Sequence, residues 1–293
     1  MEKFKDQNEI QQPKVQRNQQ RLPEGRALGE EIIVLEGKVA LIAGGATGIG
    51  KATAKLFAQQ GSRVVIADVQ DEHGLAISNE LGGSSIASYI HCDVTSEPDV
   101  KNAVDTTVDR YGKLDIMFNN AGIAGSPQWR IIESEKSDFE KVLSVNLLGC
   151  YLGTKHAARV MIPTQQGSII STASVASLNP NGAPLAYACS KHAVVALMKS
   201  TAIELGKYGI RVNCVSPAGV ATPMTTKALG MDEEKVEEFM AKHPALQGVK
   251  LKANDVAQAV MYLASDESRF VSGLNLVVDG AFSILSPLDS HFN

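Results

Sequence analysis

The sequence predicts a doubly wound α/β domain, a parallel sheet with helices on both faces. Three observations point there: short, almost wholly apolar runs recur along the chain, helical stretches separate them, and a glycine-rich turn follows the first run directly. Val39-Ala40-Leu41-Ile42-Ala43 reads as the first buried strand, and the turn through Gly50 then opens a helix over 51–60. Gly61 closes that helix, and Arg63 to Ala67 is the second strand, completing one β-α-β unit. Ser85 to Cys92 and Leu114 to Phe118 are expected as two further strands, separated by a helix over 97–110. Gly167 to Thr172, Ile210 to Val215 and Leu274 to Val278 complete the set, each reached through helical sequence. Strands apolar on both faces need cover on both, so the arrangement is Rossmann-like and forms a single domain.

Composition narrows the functional classes. The 293 residues are 44% hydrophobic and 20% charged with a net charge of -4, and no basic run interleaves with aromatics, so nucleic-acid binding is not expected. Lys, Asp or Gly interrupts every hydrophobic run, so no membrane span is expected. Cys92, Cys150, Cys189 and Cys214 are widely spaced without a CxxC pair, which disfavours disulfides and suits a reducing compartment. Cys189 reads as a small buried thiol. The six histidines show no ligand spacing, so no metal site is expected. Residues 1–31 are rich in Gln, Lys, Arg, Glu and Asn and poor in large apolar residues, and read as a flexible tail before a catalytic domain over 32–293. The tail carries acids and no Ser or Thr, unlike a secretory or transit signal, which makes the cytoplasm the expected location.

Two constellations carry chemistry. The turn Gly44-Gly45-Ala46-Thr47-Gly48-Ile49-Gly50 sits between a strand and a helix, where backbone N–H groups and the helix N-terminus can approach a pyrophosphate. Asp68 ends the second strand, followed by Val69, where a carboxylate can accept from adenosine ribose hydroxyls and would repel a 2′-phosphate. The expected cofactor is therefore NAD. Far downstream, Tyr187-x-x-x-Lys191 puts a phenol and an ammonium on one face of a helix, one turn apart. A phenol is a poor base at neutral pH, and a fixed positive charge beside it is the simplest way to favour its anion.

These features, with Asp93-Val94, Asn119-Asn120-Ala121-Gly122, Asn146, Ser174 and Pro217-x-Gly219 in the same order, resemble the short-chain dehydrogenase/reductase family from about Leu35 to Phe282. Within it the chain is similar to plant NAD-dependent enzymes of the secoisolariciresinol dehydrogenase type, which act on terpenoid, lignan or hormone-precursor alcohols. The resemblance implies that Tyr187 is the acid/base, that Lys191 binds the nicotinamide ribose and favours the phenolate, and that Ser174 holds the substrate oxygen. It implies that Asn146 orients a water linking Lys191 to a proton relay. It also implies that Asp93 and Val94 contact adenine, that Asn119, Ala121 and Gly122 support the central strand and the ribose with Asn120 among the cofactor-binding residues, and that Val220 and Thr222 after Pro217 position the carboxamide. A homotetramer is implied, through the long helices bearing Asn146 and Tyr187 and the C-terminal strand region, and the tail 283–293 is expected to reach a neighbour.

Three departures from the family pattern stand out. Ala43 replaces the usual Thr, at an expected cost of about 1 kcal/mol for one lost hydrogen bond. The usual Ser-Ser reads Ala173-Ser174, and Pro217-Ala218-Gly219 is one residue longer than Pro-Gly.

The segment over 221–250, with Met224, Leu229, Met231, Phe239, Met240 and Leu246, is expected to be an amphipathic helical lid over an apolar pocket. Ile123, Trp129, Leu178 and Ala183 are expected to add apolar wall. No Arg or Lys is obviously placed to hold a carboxylate or phosphate, so the expected partner is a small hydrophobic, neutral alcohol or ketone. Two other functions stay open: an NAD-bound, non-redox terpenoid cyclase on the same scaffold, and a catalytically silent NAD(H)-binding sensor.

Overall fold

Seven strands line up in the computed structural model, all parallel, in the order β3-β2-β1-β4-β5-β6-β7. They are β1 Val39–Ala43, β2 Arg63–Asp68, β3 Ala87–His91, β4 Ile116–Asn119, β5 Gly167–Thr172, β6 Ile210–Pro217 and β7 Asn275–Val278. The structure describes residues 33–128, 130–180 and 182–285. The expectations for the 1–31 tail, for Trp129 and for residues 286–293 lie outside the described residues.

The two-residue period of a strand sorts its side chains into two cores. Leu41, Val65, Met117, Ile169 and Cys214 face one way, against Val100, Val104, Met161, Val194 and Met198. These belong to helices α3 Glu97–Tyr111, α5 Gly149–Met161 and α6 Leu185–Leu205. Ala40, Ile42, Val64, Ile66, Phe118, Ile170 and Val215 face the other way, against Phe57, Ile77, Val256, Val260 and Leu263. These come from α1 Gly48–Gln59, α2 Asp71–Glu80 and α9 Ala253–Ala264. Each fully buried Ile, Leu or Phe of this kind contributes about 1.5–3 kcal/mol by leaving water. The helical cover on both faces is what the unbroken apolar runs require.

Strand order reverses direction between β1 and β4, whose last paired residues are Ala43 and Asn119. The loops leaving adjacent strands there diverge to opposite faces and open a crevice at the carboxyl edge of the sheet.

Three sequence expectations shift. The first helix starts at Gly48, not Lys51, so the end of the glycine turn is itself the first helical turn. The third strand is shorter than expected, because Gly82 and Gly83 at φ 105° and 65° turn the chain left-handed before a 3-10 turn over Gly83–Ser85. The 221–250 segment contains two short helices, α7 Pro223–Leu229 and α8 Glu233–Met240, interrupted at Gly230 with φ 63°. Between α3 and α5 lies α4 Lys136–Leu143, which continues into a wide π turn over Ser144–Leu148.

Candidate active site

The glycine turn is packed as a cradle. A Cβ on Gly44, whose φ is 74°, would come within 2.6 Å of the Ala121 backbone, and one on Gly50 within 2.0 Å of the Gly44 carbonyl oxygen. Asn120 braces the turn from β4, its Nδ2 donating to the Gly44 carbonyl at 2.9 Å while its Oδ1 accepts from Thr172 Oγ1 at 3.0 Å. Gly44 N–H also donates to Ala67 at 2.8 Å. The turn is therefore fixed by several bonds despite Ala43 standing where a Thr was expected. At the mouth of α1, Thr47 has extended backbone but its side chain makes no capping bond, and no acid stands in the first turn. The helix thus presents uncapped N–H donors and its positive end toward the crevice, which suits a pyrophosphate.

Asp68 is buried at the end of β2. One carboxylate oxygen accepts from Ala46 N–H at 3.0 Å, the other from the Gln70 backbone and side-chain amides at 3.1 and 3.2 Å. A carboxylate offers about four acceptor positions, so room remains for a hydroxyl on the oxygen that faces Ala46. The turn after Asp68 is tied to β3: Tyr89 Oη donates to the Asp68 carbonyl at 2.7 Å and to Asp71 at 2.5 Å, and His91 Nδ1 meets the same Asp71 oxygen at 2.7 Å. That hydrogen bond, and then the carboxylate's charge, hold the His91 imidazole above the ordinary histidine range. Asp93 folds its carboxylate onto Thr95 N–H and Oγ1 at 2.9 and 2.8 Å, which fixes the loop bearing Val94.

The Tyr187 and Lys191 side chains meet as the helical spacing requires, with Lys191 Nζ 5.5 Å from the centre of the Tyr187 ring. Lys191 is buried and donates to the Thr172 carbonyl at 2.7 Å, which sets the ammonium at the end of β5. Asn146 is wholly buried in the π turn. Its Oδ1 accepts from Ile123 N–H at 2.8 Å, and its Nδ2 donates to the Ile123 carbonyl and to Ser190 Oγ, each at 3.0 Å. Ser190 in turn donates to the Tyr187 carbonyl at 2.7 Å. The amide therefore locks the loop after Gly122 to the first turn of α6. Gly122 fills the space between, since a Cβ there would stand 3.3 Å from Asn146 Oδ1 and 3.6 Å from Lys191 Nζ. Ser174 is buried, and its Oγ accepts from Ala176 N–H at 3.1 Å.

Most of these groups open onto one cleft of about 1010 Å³. Its lining includes Gly44, Thr47, Gly48, Ile49, Asp68, Val69, Asp93, Val94, Asn120, Ala121, Gly122, Ser174, Tyr187, Lys191, Pro217, Val220 and Thr222. Gly50 and Asn146 stand behind that wall, one supporting the turn and the other the loop. The apolar end is walled by Ile123, Ala183, Met224, Leu229, Phe239, Met240 and Phe282. Leu178, Met231 and Leu246 are not part of this wall, and Leu178 and Leu246 are exposed. Exposed Lys141 of α4 reaches the rim, a cation that the sequence reading did not place there.

The sequence reading also missed Thr172 and Ser190, which orient Lys191 and Asn146. Ser190 was visible inside the Tyr-to-Lys motif, whereas Thr172 needed the β5 register. Cys189 is exposed, not buried, because it falls on the outer face of α6 next to buried Ala188 and Ser190. Burial pushes the thiols of Cys150 and Cys214 up and that of Cys92 up to about 12, which keeps these three protonated. Among the described residues there is no cluster able to hold a metal ion, and no helix long and apolar enough to cross a membrane.

Known proteins share this arrangement. A family model described as enoyl-(acyl carrier protein) reductase matches residues 44–283. Momilactone A synthase of Oryza sativa subsp. japonica is 57% identical over 253 residues, covering 86% of this chain and 92% of that protein. Secoisolariciresinol dehydrogenase of Forsythia intermedia is 56% identical, with 85% and 90% covered, and the mitochondrial borneol dehydrogenase of Lavandula x intermedia is 55% identical, with 86% and 93% covered. Among solved structures, levodione reductase superposes with a TM-score of 0.80 at 33% identity, spanning 86% of this chain and all of that one. The NADH complex of 3-ketoacyl-(acyl-carrier-protein) reductase from Brucella melitensis superposes with a TM-score of 0.74 at 34% identity, spanning 85% and 99%. A glycine cradle at a helix mouth, a Tyr–Lys pair on one helical turn and identity of this extent lead to one assignment: the chain belongs to the short-chain dehydrogenase/reductase family, and is an oxidoreductase of the kind that uses a nicotinamide cofactor.

Proposed function

We propose that the protein interconverts a neutral, hydrophobic secondary alcohol and its carbonyl form with NAD(H), the substrate being a terpenoid or related plant metabolite. The observation that carries the reading is the buried Lys191 ammonium held beside the Tyr187 ring at the floor of a cleft whose far end is apolar. The nicotinamide supplies a hydride acceptor when bound. Tyr187, as phenolate, takes the proton from the alcohol oxygen, and Lys191 stabilises that negative charge from a position fixed by the Thr172 carbonyl. Ser174 donates a hydrogen bond from its hydroxyl to the developing carbonyl oxygen, an interaction worth about 2–4 kcal/mol in comparable sites. Asn146 keeps the Ile123 loop and the start of α6 in register.

The Gly44–Gly50 turn would hold the pyrophosphate, Asp68 the adenosine ribose, Asp93 and Val94 the adenine, and Val220 and Thr222 the carboxamide. Preference for NAD over NADP is supported by the buried Asp68 carboxylate, which would repel a 2′-phosphate. The neutral substrate is supported by the apolar wall from α7 and α8, which we take as a lid. Ile203 on α6 and Phe270 before β7, 85% and 99% exposed, support assembly of four copies through these surfaces. The four free thiols support a reducing location such as the cytoplasm.

NADH appearance at 340 nm, measured against monoterpenol, sesquiterpenol and steroid alcohols with NAD and NADP in parallel, tests the reading. Tyr187→Phe is expected to lower turnover by about 100-fold or more while NADH still binds. Turnover within about tenfold of wild type would remove Tyr187 from the role of acid/base.

A further inference from the structure

Among the described residues at the apolar end of the cleft, the His243 imidazole is a polar group that the reaction leaves unused. Of the residues contributed to the cleft after β6, most are apolar or backbone: Met224, Leu229, Phe239, Met240, Pro244 and Phe282. Thr222 and Thr225 are committed to each other, Thr222 Oγ1 accepting from Thr225 N–H at 3.4 Å and Thr225 Oγ1 donating to the Val220 carbonyl at 2.6 Å, as the capping box of α7. His243, just beyond α8, is different. Its imidazole lines the cleft and makes no hydrogen bond to any described residue.

The ring is nevertheless held in place. Phe239, one turn earlier, packs at 4.8 Å between ring centres with the planes 60° apart, and Phe282 packs edge-on at 6.4 Å and 85°. Both phenylalanines line the cleft themselves, so the imidazole, exposed to the open cleft, stands against an aromatic wall. The backbone beyond is pinned, because Leu246 N–H donates to the Gly280 carbonyl at 3.0 Å. The α8 helix before it is tied down by Glu237, which pairs with both Lys250 and Lys252. A polar ring oriented by two aromatic neighbours, with its nitrogens uncommitted, can discriminate between ligands by one directed hydrogen bond.

We propose that His243 is a specificity-determining residue, and that the substrate carries a second oxygen function, a hydroxyl or carbonyl remote from the reacting carbon, that hydrogen-bonds to this imidazole. The preferred class is thus a dioxygenated polycyclic alcohol and not its mono-oxygenated parent. The inference rests on the alcohol-oxidising reading above and refines its substrate. His243 touches no reacting atom, so its effect falls on selectivity and not on the chemical step.

The test compares matched pairs of terpenoid alcohols that differ only in a remote hydroxyl or ketone, with wild type, His243→Phe and His243→Gln. Phenylalanine keeps the aromatic packing and removes the hydrogen bond, whereas glutamine restores a donor and acceptor. His243→Phe is expected to lower kcat/KM for the dioxygenated member by about tenfold, through KM, and to leave the mono-oxygenated member within about twofold. Glutamine is expected to recover most of the difference. Equal effects on both members, or none on either, would overturn the proposal. Calorimetric binding of the same pairs to the NADH-loaded protein reads the ratio without turnover. Wild type that binds the dioxygenated member about tenfold tighter yet forms no NADH would therefore overturn the redox reading and leave the His243 assignment standing; equal binding of the pair would overturn the assignment itself.

Discussion

Replacing Asn146 by alanine would remove three hydrogen bonds from a position with no solvent exposure, those to Ile123 N–H, the Ile123 carbonyl and Ser190. Ser190 keeps its bond to the Tyr187 carbonyl, but both backbone groups of Ile123 lose the amide that satisfied them. A buried polar group left without a partner costs about 1–3 kcal/mol, so two such groups and the lost packing amount to about 3–5 kcal/mol. That is a large part of the roughly 5–15 kcal/mol by which a domain is stable. At about 2–4 °C per kcal/mol for a chain of this size, thermal unfolding should fall by about 6–20 °C. Urea unfolding followed by circular dichroism, at one fixed subunit concentration with and without NADH, measures it. A loss below about 1 kcal/mol together with a collapse of kcat would refute the reasoning, since the amide would then be serving a proton relay and not holding the loop.

Three further outcomes are expected. Gly50→Ala forces a methyl group to within 2.0 Å of the Gly44 carbonyl and 2.8 Å of Asn120 Nδ2, so NADH affinity read by fluorescence should fall by at least about tenfold, and unchanged affinity would mean the turn is not the cradle. Asp68→Ser removes the charge proposed to face the adenosine ribose and should raise the NADP-to-NAD ratio of kcat/KM by about tenfold or more, whereas a constant ratio would place cofactor choice elsewhere. His91, with its folded value above its unfolded one, contributes stability that is fully present below the ordinary histidine range and is lost as pH rises through the folded value. An NMR titration should give a His91 midpoint above that of free histidine, and Asp71→Asn should bring it down; a midpoint indifferent to Asp71 would contradict the contact.

Much of the site was legible because its spacing is local. The Gly44–Gly50 turn, Asp68 and the Tyr187–Lys191 pair each depend on a single strand end or helical turn, and the structure brings them to one cleft. The phase of α6 was harder to read: its apolar residues run nearly all round, so nothing in the sequence marked Cys189 as outward-facing. The 221–250 segment was read as helical because its apolar residues recur at helical spacing, yet Gly230 breaks it into α7 and α8.

By itself the sequence determined the strand set, the parallel sheet, the glycine turn at the first helix and the one-turn spacing of Tyr187 and Lys191. Each of these follows from hydrophobic period, glycine placement or one-turn spacing, which act over a few residues. Only the tertiary structure decided that Asn146, within a π turn, spends its amide on Ile123 and Ser190, that Thr172 anchors Lys191, and that His243 stands between Phe239 and Phe282 on the cleft wall. Those contacts join segments far apart in the chain, and no local pattern encodes them because they depend on where the packed sheet and its covering helices bring separate loops together.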